Sequence, residues 1–425
     1  MADESILSDD LLRQLISVGE VDVVVGLPTH NNARTAAHVA QMIRTGLVQY
    51  YLRERAVILN IDAGSRDGTR ELVQAAAISD ARDTASLQSL RTLRCISTRH
   101  VDGPGQPTAL QTIVASADLL RARACAVVSP SSSSIAPDWV DRLLRPVAAG
   151  ACDFVTPIYR RSAFEGILIT NLLYPMIRAL YGQRIREPRP ADFAFSGRFG
   201  SRLLDLELWH NEFGRMGAEV CLTTAAVAGG FRLQQTFLGA KEQVEQQSAD
   251  LVLAMRNTLG ALFWSLDREF PVWSAATESH AVPTVGPEFE VTSESVRVNR
   301  KRLFQMFSSG VAELEPVLTS ILSHTTIEEL KRGAASSEDN FQYSDELWAK
   351  TVYEFTAASH RNVINRGHMI QALVPLYRGR VHTFLGDSRG VPADHVEEQI
   401  ETLCRTFEQM KPYLLTLWTK QEGGS

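Results

Sequence analysis

Apolar and polar positions fall in alternating blocks along this chain. The runs Val21–Gly26, Ala56–Ile61, Leu93–Thr98 and Ala124–Val128 are rich in aliphatic residues, many of them β-branched, and read as buried strands. Between them, Thr35–Gly46 (apolar at Ala36, Val39, Ala40 and Ile43), Thr69–Ala77 and Thr108–Ala124 carry helical spacing. A short amphipathic helix, Leu11–Val18, precedes the first strand. Such alternation predicts an α/β fold with a mostly parallel, doubly wound sheet covered on both faces. Past Ser129 the pattern is mixed, with strands expected at Phe154–Pro157, Glu219–Thr223 and Phe231–Leu238 and a long helix through Ile167–Tyr181. From about residue 250 helical periodicity takes over, at Leu251–Leu266, Val296–Leu322, Ser344–His368, Met369–Tyr377 and Val396–Leu415. The expected division is an α/β domain, 1–250, and an all-helical C-terminal domain, 251–425.

Composition narrows the function classes. A formal charge of −6 supplies no basic field for nucleic acid. The cysteines Cys95, Cys125, Cys152, Cys221 and Cys404 lack the paired spacing of a zinc or redox motif and read as buried thiols. Residues Met1–Asp10 are acidic where a secretory leader would be basic, and no run of about 18 uncharged apolar residues suggests a membrane span. A cytoplasmic protein without membrane or nucleic-acid partners is expected.

The chemistry concentrates at two strand ends. Leu27-Pro-Thr-His-Asn-Asn32 follows the first strand and Asp62-Ala-Gly-Ser-Arg-Asp-Gly-Thr69 the second. In an open parallel sheet these turns lie side by side at the carboxyl edge, where ligands bind. Pro28, Thr29, His30, Asn31, Asp62, Gly64 and Ser65 are therefore the candidate nucleotide-binding residues. A carboxylate such as Asp62 can accept bonds from a base or a ribose hydroxyl, while glycines permit tight turns. An ordinary capped turn explains the second motif alone about equally well; the two together favour a nucleotide pocket.

This pairing resembles the sugar-nucleotide-binding half of GT-A glycosyltransferases. The segments Asp153-Phe-Val-Thr-Pro-Ile-Tyr-Arg160, Thr170-Asn171, Tyr174-Pro175, Arg178–Gly182, Asp192-Phe-Ala-Phe-Ser-Gly197, Phe231–Lys241 and Leu373–Arg380 are similar to bacterial relatives of glucosyl-3-phosphoglycerate synthase and glucosylglycerate synthase. The resemblance spans nearly the whole chain. It implies a GT-A fold and retaining transfer of a sugar from a UDP- or GDP-sugar to a small hydrophilic acceptor. It places Gln106, Ser129 and Ser131 beside the nucleotide, and Tyr159, Arg160, Asp192, Ser196 and Gly197 around donor sugar and acceptor. Glu219 falls where relatives carry an acidic residue that works as base or orients hydroxyls. A homodimer through the helical region is also expected.

Departures from the pattern are informative. The acidic pair expected after the fourth strand to hold a divalent ion is Val128-Ser-Pro-Ser-Ser-Ser-Ser134, with no carboxylate before Asp138, and the expected histidine ligand is replaced by Lys241-Glu-Gln243. Serine hydroxyls are poor ligands for magnesium or manganese. Transfer without a metal cofactor is therefore favoured over metal-dependent transfer, with Arg198, Lys241, Arg160 and Arg161 as candidate cations for the leaving diphosphate; Glu242 is the residual metal candidate. Glu219, Arg198 and Lys241 form the catalytic set. The acceptor is open between a glycerate-type alcohol and the thiol of a natural-product pathway. The alternative is a catalytically silent homologue that binds nucleotide or a partner subunit. A nucleotidyltransferase ranks last, because the first turn lacks the glycine and lysine of a phosphate loop.

Overall fold

The computed structural model describes residues 6–77, 93–99, 108–160, 165–241, 251–286 and 299–420. The strands are β1 Val23–Thr29, β2 Ala56–Asp62, β3 Leu93–Arg99, β4 Ala124–Val127, β5 Phe154–Arg160, β6 Gln183–Arg184, β7 Phe193–Ser196, β8 Leu233–Ala240, β9 His280–Ala281 and β10 Thr284–Val285. Eight of them form one sheet in the order β10-β8-β5-β7-β4-β1-β2-β3, and β6 pairs with β9 separately. Every pairing in the large sheet is parallel except those of β7, which runs against both β4 and β5. The doubly wound, mostly parallel sheet and the helical C-terminal region are as the hydrophobic pattern predicts.

β1 and β2 are almost wholly buried because helices cover both faces. Val23, Val25 and Leu27 face helices Ala36–Tyr50 and Asp138–Ala148, while Val24 and Val57 face a second core with Ile113 and Val114 of helix Ala109–Leu119. Gly26 lets that last helix approach: a Cβ there would stand 2.5 Å from Ile113. The second core continues into the C-terminal helices through Phe263, Trp348, Leu373 and Phe407. Gly217 is the close-contact point where helix Ala218–Ala228 meets helix Leu251–Arg268, since a Cβ there would lie 2.1 Å from the Asn257 carbonyl oxygen. Among the described residues no helix is long and apolar enough to cross a membrane.

Several expectations are corrected. Glu219–Thr223 is helical, within Ala218–Ala228, because a helix buried on nearly all sides shows an apolar run as unbroken as a strand's. Val296–Leu322 is not continuous: described helix runs over Arg300–Glu313 and resumes at Glu315–Ile321, where Pro316 occupies the first turn. The expected pair Ser344–His368 and Met369–Tyr377 is instead Asp345–His360 and Arg366–Asp387, the second helix accommodating Pro375. β7, β10 and helix His324–Ala334 carried too short or too mixed a pattern to stand out.

Candidate active site

The strand order changes direction at β1, which has β2 on one side and β4 on the other. A crevice opens at such a switch point beyond the carboxyl ends of the strands. Here proline helps to open it. The Val128 amide donates to the Gly26 carbonyl, so alternate residues of β1 face β4, and Pro28 comes next on that side with no N–H to extend the ladder. Beyond Gly26 and Val127 the two chains part.

On the β2 side of the crevice the two polar turns interlock. Asn31 has φ +52°, a left-handed conformation that asparagine tolerates. Its backbone N–H donates to Ser65 Oγ (2.8 Å), and its Oδ1 accepts from the Arg66 amide (3.0 Å). His30 Nδ1 lies 2.8 Å from the Ala63 carbonyl oxygen, with Nε2 3.0 Å from Asn31 Nδ2. Thr69 Oγ1 accepts from the Asn32 amide and Asp67 Oδ2 from the Ala33 amide. Desolvation pushes the Asp67 carboxyl up, but the bonds it accepts from Thr69 and the Ala33 amide together outweigh this and hold it below its ordinary range. Gly64 supplies a turn at φ +78°. His30 and Asn31 remain exposed, whereas Asp62 is only 2% exposed. Its oxygens accept from Thr29 Oγ1 (3.0 Å), Ser65 N (2.9 Å) and Ser65 Oγ (2.5 Å). Asp62 thus closes the turn that presents its neighbours.

On the other side of the crevice stands a buried ion pair. Asp192 immediately precedes β7, and Lys241 immediately follows β8; both lie at the carboxyl edge because β7 is reversed. Lys241 Nζ is 3.6 Å from Asp192 Oδ2, with the two side chains 5% and 0% exposed. Asp192 Oδ1 accepts from the Ser129 amide (2.8 Å), and Oδ2 accepts from the Tyr159 hydroxyl. Ser132 Oγ lies 3.4 Å from both carboxylate oxygens. The Tyr159 ring sits beneath Lys241 Nζ at 4.3 Å and packs against Trp139. Ser131 backs this loop, its amide donating to Ser129 Oγ.

Glu219 sits in the first turn of helix Ala218–Ala228, 3.9 Å from Arg189 Nε. Arg189 leads directly into Asp192, so this pair flanks the same edge. The Arg189 guanidinium also donates to Thr258 Oγ1.

Three candidates lie elsewhere. Because β7 is antiparallel, Ser196 pairs with Ala124 at the start of β4, at the amino edge of the sheet. Ser196, Gly197 and Arg198 are therefore on the edge opposite to Asp192, although the motif Asp192–Gly197 suggested one pocket. There Arg198 Nη2 donates to Asp153 Oδ2 (2.9 Å), and Gly197 donates to the Arg123 carbonyl. Asp153 also accepts from Arg232 Nε and the Arg232 amide; despite its burial, these bonds and that from Arg198 keep its carboxyl below the usual range. The cluster anchors the starts of β5 and β8. Gln106, Arg161, Glu242 and the side chain of Arg160 lie outside the described residues.

The donor set at this edge, among the described residues, does not suit a divalent ion. Among the described residues no three His, Cys, Asp or Glu side chains come together. The loop after β4 offers serine hydroxyls, and Asp192, a carboxylate bonded to it, is closed off and faces an ammonium. The residues that sequence reading passed over are Asn60, which accepts from Thr29 (2.8 Å), Asp67 and Arg189. Asn60 in an otherwise apolar strand was the legible signal, since a polar side chain inside a buried run needs a partner.

A separate cavity of about 300 Å³ lies between helices Ala218–Ala228 and Leu251–Arg268, lined by Arg202, Leu208, Cys221, Trp264, Arg268 and Glu269 among others. None of the residues predicted for the nucleotide or sugar lines it.

No protein-family model and no curated protein matches the sequence. Among solved structures, the chain is similar to glucosyl-3-phosphoglycerate synthase from Mycobacterium tuberculosis in complex with phosphoglyceric acid, at 17% identity and a TM-score of 0.44 over 63% of this chain and 85% of that one. The same enzyme with Mn2+, UDP-glucose and phosphoglyceric acid matches at 18% identity and a TM-score of 0.43, over 62% and 84% of the two chains. A further mycobacterial protein matches at 17% identity and a TM-score of 0.42, over 62% and 80%. These include structures of the enzyme group that the sequence motifs resemble, yet at so low an overlap they assign this chain neither substrate nor activity.

Proposed function

We propose that the protein is a glycosyltransferase that moves a sugar from a nucleoside diphosphate sugar to a small hydrophilic acceptor, without a divalent ion. One observation carries this reading. The crevice at the β1–β4 switch point has exposed polar turns at His30 and Asn31 on one side and a fixed cation, Lys241, on the other. That arrangement suits a ligand with a polar heterocycle at one end and a diphosphate at the other. In the reaction the anomeric carbon–oxygen bond to phosphate breaks, the diphosphate leaves with the electron pair, and an acceptor hydroxyl forms the new bond to carbon. The hydroxyl proton passes to the leaving phosphate or to Glu219, which stands at the same edge beside Arg189.

The test is product formation followed by mass spectrometry, with UDP- and GDP-sugars offered alongside glycerate, phosphoglycerate and small thiols. An acceptor-dependent release of nucleoside diphosphate is expected, and Glu219→Gln should lower kcat by about 100-fold if the carboxylate handles the proton. Undiminished turnover in Glu219→Gln would remove that role. A protein that binds donor and yields no product with any acceptor would instead be the silent homologue.

A further inference from the structure

We infer that Lys241, held charged by Asp192, is the cation that receives the donor diphosphate; this rests on the transferase reading above. Stability gives little reason to build such a pair. Removing an ammonium and a carboxylate from water costs more than their attraction commonly returns, so apolar residues of similar volume would serve the core as well or better. An ammonium 95% shielded from solvent sheds its proton unless an anion faces it. Asp192 is that anion, at 3.6 Å. Its oxygens are also bonded by the Ser129 amide and the Tyr159 hydroxyl, which fix the carboxylate beneath the lysine.

The surroundings fix the cation in place. The Tyr159 ring lies 4.3 Å beneath Nζ and is itself held by Trp139, so the ammonium rests on an aromatic face that favours positive charge. The same carboxylate that anchors the lysine anchors the Ser129 amide, which ties the cation to the loop at the end of β4 and thus to the crevice wall. A rigid, poorly hydrated cation acts on a developing phosphate charge far more strongly than a mobile surface lysine does. Of the other described basic candidates, Arg198 is committed to Asp153 at the far edge, and Arg189 is shared between Glu219 and Thr258. Asp192 is therefore a positioning residue, and the pair takes the role that a metal ion would otherwise fill.

The experiment is calorimetry on the full chain, in chelator, with UDP, GDP and ADP, each compared with its nucleoside. Wild-type protein should bind one diphosphate more tightly than the matching nucleoside, with no change when manganese replaces chelator. Lys241→Met should weaken the diphosphate by about 30-fold or more and leave the nucleoside within about 3-fold. Should the single variant fail to fold, the pair Lys241→Met with Asp192→Asn removes both charges and is held to the same ratio. Asp192→Asn alone should also lower the diphosphate-to-nucleoside affinity ratio, because the ammonium loses the carboxylate that positions it, while the nucleoside stays within about 3-fold. A diphosphate-to-nucleoside ratio unmoved by Lys241→Met, or a wild-type ratio that requires manganese, overturns the lysine assignment alone. Failure of nucleotides and nucleosides alike to bind overturns the donor site itself.

Discussion

Arg178→Met is expected to destabilise the protein by about 3 kcal/mol, the scale on which a buried pair loses one partner. Arg178 is 1% exposed on helix Tyr174–Tyr181, and its guanidinium is forked between two carboxylates of the C-terminal helix Ala393–Thr419. Nε donates to Glu408 Oε1 (2.8 Å), Nη2 to Glu401 Oε1 (2.8 Å), and Nη1 to Glu401 Oε2. Burial works against the charge, but the bonds to Glu401 and Glu408 more than offset it and raise the arginine's pKa above its ordinary value. Glu401 and Glu408 are themselves partly solvated, at 35% and 26% exposure, so the loss stays below the upper end for fully buried charges. Lys411 supports the same junction from the next turns of the helix, with Nζ donating to the carbonyl oxygens of Leu180, Trp273 and Ala276. Chemical unfolding should record the loss, and amide exchange should quicken across Ala393–Thr419. Adding Glu401→Gln and Glu408→Gln to the variant should restore part of the stability, because no charge is then left unmatched. A single variant within about 0.5 kcal/mol of wild type would show that apolar packing alone holds the C-terminal helix.

Glu269→Gln should reverse part of the protein's pH dependence. Glu269 follows helix Leu251–Arg268 and accepts from Tyr181 OH (2.5 Å) and Thr224 Oγ1 (3.4 Å). Burial pushes its carboxyl up to about 7 from an ordinary 4.5, and these two hydroxyls, which favour the anion, only moderate the rise. The folded state therefore binds this proton more tightly than the unfolded chain does. The contribution to stability is full below about pH 4.5, declines as pH rises through about 7, and is flat above that. Glutamine cannot ionise, so stability of the variant relative to wild type should rise by up to about 3 kcal/mol between pH 4.5 and pH 8. A difference that stays constant across this window would mean that Glu269 is hydrated and titrates normally.

What could be read from the sequence divides along physical lines. Helix Thr69–Ala77 and strand β2 match their expected positions closely, because their information is local, an apolar run closed by an Asp-x-x-Ser turn. β1 is displaced, starting at Val23 instead of Val21 and running through Pro28 and Thr29, which were expected in the turn after Gly26. Strand direction is not local. Nothing within Asp192-Phe-Ala-Phe-Ser-Gly197 says that the chain crosses the whole sheet backwards, yet that crossing decides that Asp192 faces the crevice and Arg198 does not. Asp62 was legible as a turn residue, while the saturation of its oxygens by Thr29 and Ser65 depends on the juxtaposition of two strands. Lys241 drew attention as a residue out of pattern. Its partner, Asp192, lies in a distant segment that the family resemblance places around the donor sugar, so the ion pair is visible only in three dimensions. The apolar periodicity of the helical region is legible in the sequence, whereas the breaks at Pro316 and after His360 depend on packing and are not.

The central claim is that a nucleoside diphosphate lies across the β1–β4 switch point, and a crystal structure of the full chain with UDP, GDP or ADP, whichever binds most tightly, tests it most directly. The expected density has the base against His30 and Asn31 and the phosphates beside Ser129 and Lys241. Nucleotide density in the cavity lined by Trp264, Arg268 and Glu269, with the crevice empty, would contradict it.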